Sequence, residues 1–294
     1  MVSFVRGEQV ELMEANNETI KPEYILGIDT STSNMTIALL KNGKVVQEHD
    51  TEAVRNHSVQ LLPNIQSLLK DAEIKPKDLS LLAVGQGPGS YTGVRIGVTT
   101  AKTFAWSLGV PLIGVSSLHA MARSGLRQYA EVNRCDIKAG KQARYLIPLM
   151  DARRNQVFTA VYRHGNVDGE GAGWDCLKQD GIRLMPKLLE EVAELLAGQS
   201  SQKDAMEQPL EVIFVGETEL FAEQINRFEE EFGNAKFKVA IFPSSIRGAE
   251  IGYLANERWH ESDAKTDDVF DFVPNYARLT EAEANLLKAK QETK

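Results

Sequence analysis

One glycine-rich stretch, residues 84–97, constrains the fold of this chain more than any other segment. The apolar run over residues 81–84 predicts a buried strand. Glycines at positions 85, 87 and 89 predict a loop, and a helix is predicted to begin near Ser90. Glycine lets a backbone approach a ligand closely, and the first turn of a helix offers free N–H groups. This corner therefore predicts either an anion site or a tight turn that needs glycine for its backbone angles.

The helix predicted over residues 90–108 carries a stripe of small residues at every fourth position. The stripe consists of Gly93, Gly97, Ala101 and Ala105. A second, apolar row consists of Val94, Val98, Phe104 and Leu108. Because this row is sufficient to bury the helix against its own domain, we expect the small stripe to receive a partner helix at close range. The alternative is that the stripe packs on the domain's own sheet.

Composition bounds the class of protein. The chain has 294 residues, 43% hydrophobic and 25% charged, which is ordinary for a globular protein of two domains. The formal net charge of −8 argues against a chain that grips nucleic acid alone. The two cysteines, Cys135 and Cys176, have no paired spacing. Together with the lack of a membrane-length apolar run and of a signal peptide, they predict a cytoplasmic protein.

The order of predicted elements occurs twice. Residues 25–29, 35–40 and 45–49 predict three strands, with the hairpin signal Asn42-Gly43 between the second and third. A helix over about 57–72, the strand over 81–84, the glycine-loop helix and a strand over 112–115 complete the unit. Strands and helices from residue 145 to Trp259 follow the same order with weaker signals. The sequence therefore predicts an α/β protein built from two topologically similar halves.

Domain boundaries follow from composition. Residues 1–22 form an N-terminal extension, 23–121 the first domain and 144–278 the second. Residues 122–143 lack an apolar period and are predicted to be a linker or insertion, as are residues 198–209. Residues 279–294 form a C-terminal tail.

Two turns that follow strands are candidate sites. The first candidate is a phosphate site consisting of Asp29, Thr30, Ser31, Gly87, Gly89 and Ser90. A carboxylate and hydroxyls at a strand end can hold magnesium and phosphate, whereas the alternative is an Asx or Ser turn. The second candidate, residues 151–155, is a charged turn that either recognises a ligand or partner or is simply solvated. The five histidines have no metal-ligand spacing, so we expect no metal site and no catalytic nucleophile–base pair.

Several motifs resemble the TsaB (YeaZ) family over roughly residues 24–278. They begin at Ile25 (ILGIDTST), Gly85 (GQGPGSYTGVRIG), Pro111 (PLIGVSSL), Asp151 (DARRNQVF) and Pro274 (PNYAR). The resemblance implies a duplicated ribonuclease-H-like fold of the actin/Hsp70-like (ASKHA) type, which agrees with the repeated element order. It also implies a part in making threonylcarbamoyladenosine in tRNA, as a non-catalytic subunit beside the paralogue TsaD and the ATPase TsaE.

The resemblance further implies which residues pair with TsaD. Family members pair through the first two helices, so the expected interface comprises His57, Leu61, Leu68, Gly93, Gly97, Ala101 and Ala105. The same surface is expected to form a homodimer when the chain is alone. Contact with tRNA is expected only through the complex, and no contact with membranes is expected.

A comparison with TsaD-like chains predicts that catalysis lies elsewhere. Such chains carry a His-x-x-x-His metal pair where this chain has Ser117 and Met121, and hydroxyl and thioether groups cannot replace two imidazoles. Bulky residues at 151–153 and a lone Gly216 replace the glycines of a nucleotide site, so no cofactor is expected and ATP binding should be weak or absent. The alternative function is an actin-fold ATPase or sugar-type kinase that uses Asp29 and the glycine loop.

Overall fold

A computed structural model describes residues 22–52, 57–135, 143–165, 173–199, 210–233, 237–261 and 266–277. The strands are β1 (Tyr24–Asp29), β2 (Asn34–Lys41), β3 (Lys44–Glu52), β4 (Leu81–Gly85), β5 (Leu112–Val115), β6 (Arg144–Asp151), β7 (Gln156–Gly165), β8 (Gly173–Leu184), β9 (Leu210–Gly216) and β10 (Phe237–Pro243). The α-helices are α1 (His57–Asp71), α2 (Tyr91–Leu108), α3 (Ser117–Asn133), α4 (Met185–Gln199), α5 (Ala222–Phe232) and α6 (Gly248–Trp259).

The strands form two five-stranded sheets with the same topology. The first has the order β3-β2-β1-β4-β5 and the second β8-β7-β6-β9-β10. In each sheet the first three strands are antiparallel, and the last two join the central strand in parallel. The predicted duplicated ribonuclease-H-like fold of the ASKHA type is confirmed. The predicted turn at Asn42-Gly43 is also present, with φ of 51° and 74° at its two residues.

Three apolar cores lie between the sheets and the helices that pack on them. Helices α1 and α2 cover the outer face of the first sheet, and α4 and α5 cover the outer face of the second. Helices α3 and α6 lie between the sheets and share one central core with both inner faces. Helix α3 packs on the second sheet, whereas α6 returns from the end of the second half to pack on the first. Each half is therefore completed by a helix from the other.

The linker prediction for residues 122–143 is wrong for residues 122–133, which belong to α3. Leu118, Met121, Leu126 and Tyr129 are buried at helical spacing, so the helix carries an apolar stripe that runs across the predicted boundary at residue 121. Its arginines meet Glu250 of α6: Arg123 Nε lies 3.0 Å and Arg127 Nε 2.7 Å from the Glu250 carboxylate. Two of the polar side chains that suggested a linker are thus ion-paired with a helix of the other half.

A C-terminal strap, residues 266–277, returns to the first half. Val269 and Phe272 are buried in the outer core of the first sheet. Lys102 Nζ donates to the Phe272 carbonyl oxygen at 2.6 Å. The Asn275 backbone N–H donates to the Gln86 carbonyl oxygen at 2.7 Å. Predictions for the N-terminal extension up to residue 21, for residues 136–142 and 200–209, and for the tail from residue 279 lie outside the described residues. Within the described ranges, no helix combines the length and apolarity that crossing a membrane requires.

Candidate functional site

A cleft of about 1850 Å³ opens between the two halves. Its walls are the segments that follow β1, β4, β6, β9 and β10, together with the end of the strap. Ligands of open α/β folds bind at the carboxyl ends of parallel strands, which is where this cleft lies. It is therefore the candidate functional site.

Asp29, at the end of β1, is enclosed rather than presented to the cleft. Its Oδ1 accepts hydrogen bonds from the Ser31 backbone N–H at 2.8 Å and from Ser31 Oγ at 2.6 Å. Its Oδ2 accepts one from Ser117 Oγ at 2.6 Å, and a Cβ at Gly85 would overlap this carboxylate. The side chain is fully buried, and burial raises its pKa against these hydrogen bonds. Both oxygens are thus occupied by the fold.

The six residues of the predicted phosphate site divide into two groups. Ser31, Gly89 and Ser90 line the cleft, whereas Asp29, Thr30 and Gly87 do not. Thr30 Oγ1 donates to the Gly93 carbonyl oxygen at 2.7 Å. The Ser90 backbone N–H donates to the Ser31 carbonyl oxygen at 2.7 Å. The glycine loop therefore folds back on the β1–β2 turn, which closes much of the predicted cradle. Ser90 also caps α2 by accepting from the Gly93 N–H at 3.3 Å.

The β6–β7 turn is the most unusual backbone on the cleft wall. Arg153, Arg154 and Asn155 have φ of 66°, 56° and 60°, so three consecutive non-glycine residues adopt the left-handed conformation. Asp151 Oδ1 accepts the Arg153 N–H at 2.8 Å, and the Asp151 N–H donates to Glu217 Oε2 at 2.7 Å. Burial raises the pKa of Glu217. The turn directs two arginines to the cleft.

The facing wall carries a tyrosine–arginine–tyrosine group from α2 and the strap. Arg95 Nε donates to Tyr276 Oη at 2.9 Å, and the guanidinium lies 4.0 Å from the Tyr91 ring centroid and 5.5 Å from that of Tyr276. Both tyrosines are about half exposed and line the cleft. Sequence reasoning missed this group. The i, i+4 spacing of Tyr91 and Arg95 could have indicated their contact, but nothing local indicates Tyr276, which is 181 residues from Arg95.

The small stripe on α2 faces inward, so the prediction that it receives a partner is wrong. Gly93, Gly97, Ala101 and Ala105 are all buried, and a Cβ at Gly97 would overlap Thr30 Oγ1. Val94 and Val98 are buried too. Consecutive helical residues are only about 100° apart, so the stripe and the valine row share one buried sector.

The α1 residues predicted for the same interface are mostly buried as well. Leu61 and Leu68 belong to the outer core of the first sheet. His57 is half-buried and lines the cleft, and burial lowers its pKa although the nearby Asp29 charge opposes this. Its Nε2 has no hydrogen-bond partner among the described residues. The exposed apolar side chains of α1 and α2 are instead Val59, Leu62, Tyr91 and Trp106.

The positions expected to carry histidines in TsaD-like chains do not fit a metal ion. Ser117 is fully buried, with its hydroxyl between Asp29 and the Gly87 N–H, which lies 3.1 Å away. Met121 is buried against Gly216, where a Cβ would overlap its Sδ. Among the described residues, no group of three or more His, Cys, Asp or Glu side chains could hold a metal.

An aromatic cluster lies between α3 and strands β7 and β8. His119 stacks on Tyr162 with ring centroids 4.6 Å apart, and Trp174 contacts both His119 at 5.4 Å and His164 at 4.7 Å. Burial, with a contribution from nearby arginines, lowers the pKa of both histidines to about 4. His119 Nε2 and His164 Nδ1 have no hydrogen-bond partner within the described part of the chain.

Comparisons with known proteins agree with this fold. The family model described as "TsaD: tRNA N6-adenosine threonylcarbamoyltransferase" matches residues 44–286. Two solved structures from Pseudomonas aeruginosa share the fold. YeaZ has 19% identity and a TM-score of 0.58, with 86% of this chain and 99% of that one covered. An uncharacterized protein with similarity to peptidase YEAZ has 20% identity and a TM-score of 0.59, with 87% and 100% covered.

Curated relatives identify the family. The chain is 35% identical over 268 residues to "tRNA threonylcarbamoyladenosine biosynthesis protein TsaB" of Bacillus subtilis, covering 91% of this chain and 99% of that protein. It is 32% identical over 175 residues to the TsaB of Escherichia coli, covering 60% and 68%. The motifs, the duplicated fold and this full-length similarity together show that the chain belongs to the TsaB (YeaZ) family.

Proposed function

We propose that this chain works in the cytoplasm as a non-catalytic subunit of the complex that makes threonylcarbamoyladenosine in tRNA. The observation that carries the proposal is the similarity to the B. subtilis TsaB, which spans nearly the whole of both chains. In the proposed complex the chain pairs with TsaD and recruits TsaE, and TsaD supplies the catalytic site. When no partner is present, the chain forms a homodimer through the same surface.

The chemistry of the cleft supports a non-catalytic role. Ser117 and Met121 are buried in contacts that hold the fold, so neither is available as a metal ligand. Asp29, the carboxylate that an actin-like ATPase would use for magnesium, has both oxygens occupied by hydrogen bonds from serines. These arrangements also support the proposal that the chain binds ATP weakly or not at all.

The exposed face of α1 and α2 is the surface we propose for pairing with TsaD. Val59, Leu62 and Trp106 expose 71%, 52% and 56% of their surface, although they lie on helices whose other faces are buried. Tryptophan is enriched among interface hot spots, and a partner seated on this face would cover these apolar side chains. This face replaces the buried small stripe as the proposed interface.

Co-purification tests the pairing. We expect Val59→Glu with Leu62→Glu to abolish co-purification with the TsaD of the same organism, because two charges would be buried in an apolar contact. Leu220→Glu is the matched control, since Leu220 is 70% exposed on the far side of the cleft. Loss of pairing in the control, or its survival in the double variant, would contradict the proposed surface.

Reconstitution tests the role itself. We expect the purified chain alone to transfer no threonylcarbamoyl group to tRNA, and TsaD to need this chain for full activity. Transfer by the isolated chain would refute the non-catalytic role. Calorimetry with magnesium-ATP separates the alternative, an actin-fold ATPase or sugar-type kinase, because micromolar binding by the isolated chain would favour that enzyme.

A further inference from the structure

The β6–β7 turn keeps two arginines in a conformation that other residues adopt more readily. Left-handed φ angles are disfavoured for side chains with a Cβ, and only glycine, asparagine and aspartate adopt them with ease. Asn155 suits its φ of 60°, whereas Arg153 and Arg154 do not suit theirs. Backbone strain of this kind points to a role for the side chains that the turn presents.

Neighbouring groups hold the turn in place. Asp151 fixes the Arg153 N–H through Oδ1 and pairs with the Arg153 guanidinium through Oδ2 at 3.1 Å. The Gln156 N–H donates to the Arg153 carbonyl oxygen at 3.0 Å, and Gln224 Nε2 donates to Asn155 Oδ1 at 3.2 Å. Apart from the ion pair of Arg153 with Asp151, these contacts engage the backbone and the two ends of the turn, and both arginine side chains remain exposed.

The resulting charge is available to a ligand. Arg153 is 84% exposed and its one ion pair is with Asp151. Arg154 is exposed and has no ion-pair or hydrogen-bond partner in the part of the chain that the structure describes. Of the nearby carboxylates, Asp151 and Glu217 are engaged by the turn, and Glu219 is exposed. The cleft rim therefore presents two guanidinium groups.

The opposite wall of the same cleft offers exposed rings. Tyr91 and Tyr276 expose 55% and 45% of their surface, and Arg95 lies against both. Guanidinium groups that contact phosphates and aromatic rings on which bases stack are the two components of single-stranded nucleic-acid sites. We propose that the mouth of this cleft binds a single-stranded RNA loop, with its phosphates on Arg153 and Arg154 and a base on the tyrosines.

This proposal rests on the proposed function, which supplies an RNA substrate with single-stranded loops. The formal net charge of −8 repels RNA from most of the chain, so the contact is confined to this rim and needs a larger complex to be strong. An acidic peptide would match the arginines but has no base for the tyrosines. A free nucleotide would place few of its atoms on both walls of a cleft of about 1850 Å³.

The test uses Arg153→Asn with Arg154→Asn in the full chain, because asparagine suits left-handed φ. Binding of a labelled tRNA transcript to the complex with TsaD and TsaE is titrated between 50 and 200 mM salt, a range in which phosphate contacts weaken steeply. We expect affinity to fall about fivefold and the salt slope to decrease by about 1.4, since each of the two lost phosphate contacts removes about 0.7. Tyr276→Ala should weaken binding with little change in slope.

Arg134→Asn is the matched control. Arg134 is also exposed and left-handed, with φ of 52°, but it caps α3 and does not line the cleft. This control removes one positive charge of the same kind and relieves the same kind of strain, so RNA affinity should be unchanged. The melting temperature of the double variant should be equal or higher; a fall would mean that the arginines serve the fold, and would overturn the proposal.

The remaining outcomes are distinguishable. Unchanged RNA affinity and slope in the double variant would overturn the proposal, as would loss of TsaD or TsaE from the complex, which would assign the arginines to a protein partner. A loss of ATP binding in calorimetry with no loss of RNA binding would assign them to a nucleotide. If the wild-type chain does not assemble with TsaD, the proposed function fails, and ultraviolet crosslinking of the chain alone to the transcript still decides whether Arg153 and Arg154 contact RNA.

Discussion

The β1–β2 and β6–β7 turns occupy equivalent places in the two halves, yet they have opposite exposures. Each follows a strand that ends in aspartate, Asp29 or Asp151, and each aspartate accepts the backbone N–H two residues later at 2.8 Å. In the first turn that residue is Ser31, which is 2% exposed; in the second it is Arg153, whose side chain is 84% exposed. The same local hydrogen bond therefore supports a buried turn and a solvated one.

This difference in exposure indicates which half of the fold keeps charged side chains available to a ligand. In the first half, Ser117 of α3 and the glycine loop close over the Asp29 carboxylate, and the turn becomes part of the packing. In the second half, Glu217 and Gln224 hold only the backbone and one amide of the turn, and the charged side chains stay outside. We infer that the first turn stabilises the fold and that the second recognises a ligand.

Gly85→Ala should produce the largest effect on the first turn. A Cβ at Gly85 would overlap Asp29 Oδ2 and lie 2.7 Å from Ser117 Oγ, so the whole enclosure must shift. We expect the free energy of unfolding to fall by about 3 kcal/mol or more, measured by chemical denaturation. Gly198→Ala, in α4 with open space around it, is the control and should not destabilise the chain. An unchanged free energy of unfolding in Gly85→Ala would mean that the Asp29 carboxylate is not tightly enclosed.

Asp29→Asn tests the enclosure through its hydrogen bonds. The amide NH₂ would replace one oxygen and face the donors of Ser31 or that of Ser117, so at least one buried donor would lose its acceptor. We expect a loss of about 2–3 kcal/mol in the free energy of unfolding. A smaller loss than that of the equivalent change at Asp151 would contradict the contrast between the two turns.

Acid should weaken the second half through His119 and His164. Burial lowers the pKa of each from an unfolded value of 6.5 to about 4, so the folded chain binds fewer protons than the unfolded chain between these values. Their contribution to stability is therefore complete above pH 6.5 and decreases as the pH falls toward 4. We expect a loss of about 2 kcal/mol from each histidine between pH 7 and pH 5.

His119→Phe tests the origin of this pH dependence. The ring would still stack on Tyr162, but one titrating imidazole would be absent. Unfolding measured at both pH values should then show a weaker dependence on pH. An unchanged dependence would exclude His119 as a cause. In Asp29 the buried group is a carboxyl with a raised pKa, so its contribution has the opposite sign and increases as the pH falls.

Local patterns predicted the order of strands because each strand of the first half has a continuous apolar run or a turn signal beside it. The hairpin at Asn42-Gly43 and the start of a helix near Ser90 were predicted correctly, since each depends only on neighbouring residues. Helix α3 was not predicted as one element because its apolar stripe begins at Leu118, before the predicted boundary at residue 121, and polar residues lie between the later apolar positions. The edge strand β8 also escaped prediction, since its exposed and buried positions do not alternate regularly.

The candidate site was predicted less completely than the fold. Sequence placed Asp29 and the glycine loop at a strand end, but it could not show that Ser117, 88 residues away, closes over the carboxylate. It assigned the small stripe of α2 to a partner because the width of the buried sector of a helix depends on what surrounds it. The left-handed run at residues 153–155 has no glycine to indicate it, and only the three-dimensional structure shows that the turn faces Tyr91 and Tyr276 across a cleft.

Asp151→Asn should give the smallest loss of stability, and it is the change in the β6–β7 turn that is equivalent to Asp29→Asn in the β1–β2 turn. An asparagine Oδ1 can still accept the Arg153 N–H, so the turn keeps its local hydrogen bond. The change removes only the ion pair with the Arg153 guanidinium, and an exposed pair contributes less than about 1 kcal/mol. We expect a loss of about 0.5 kcal/mol in the free energy of unfolding, measured under the conditions used for Asp29→Asn. A loss as large as that at Asp29 would mean that both turns are structural, and the inference that the second turn is kept for a ligand would no longer hold.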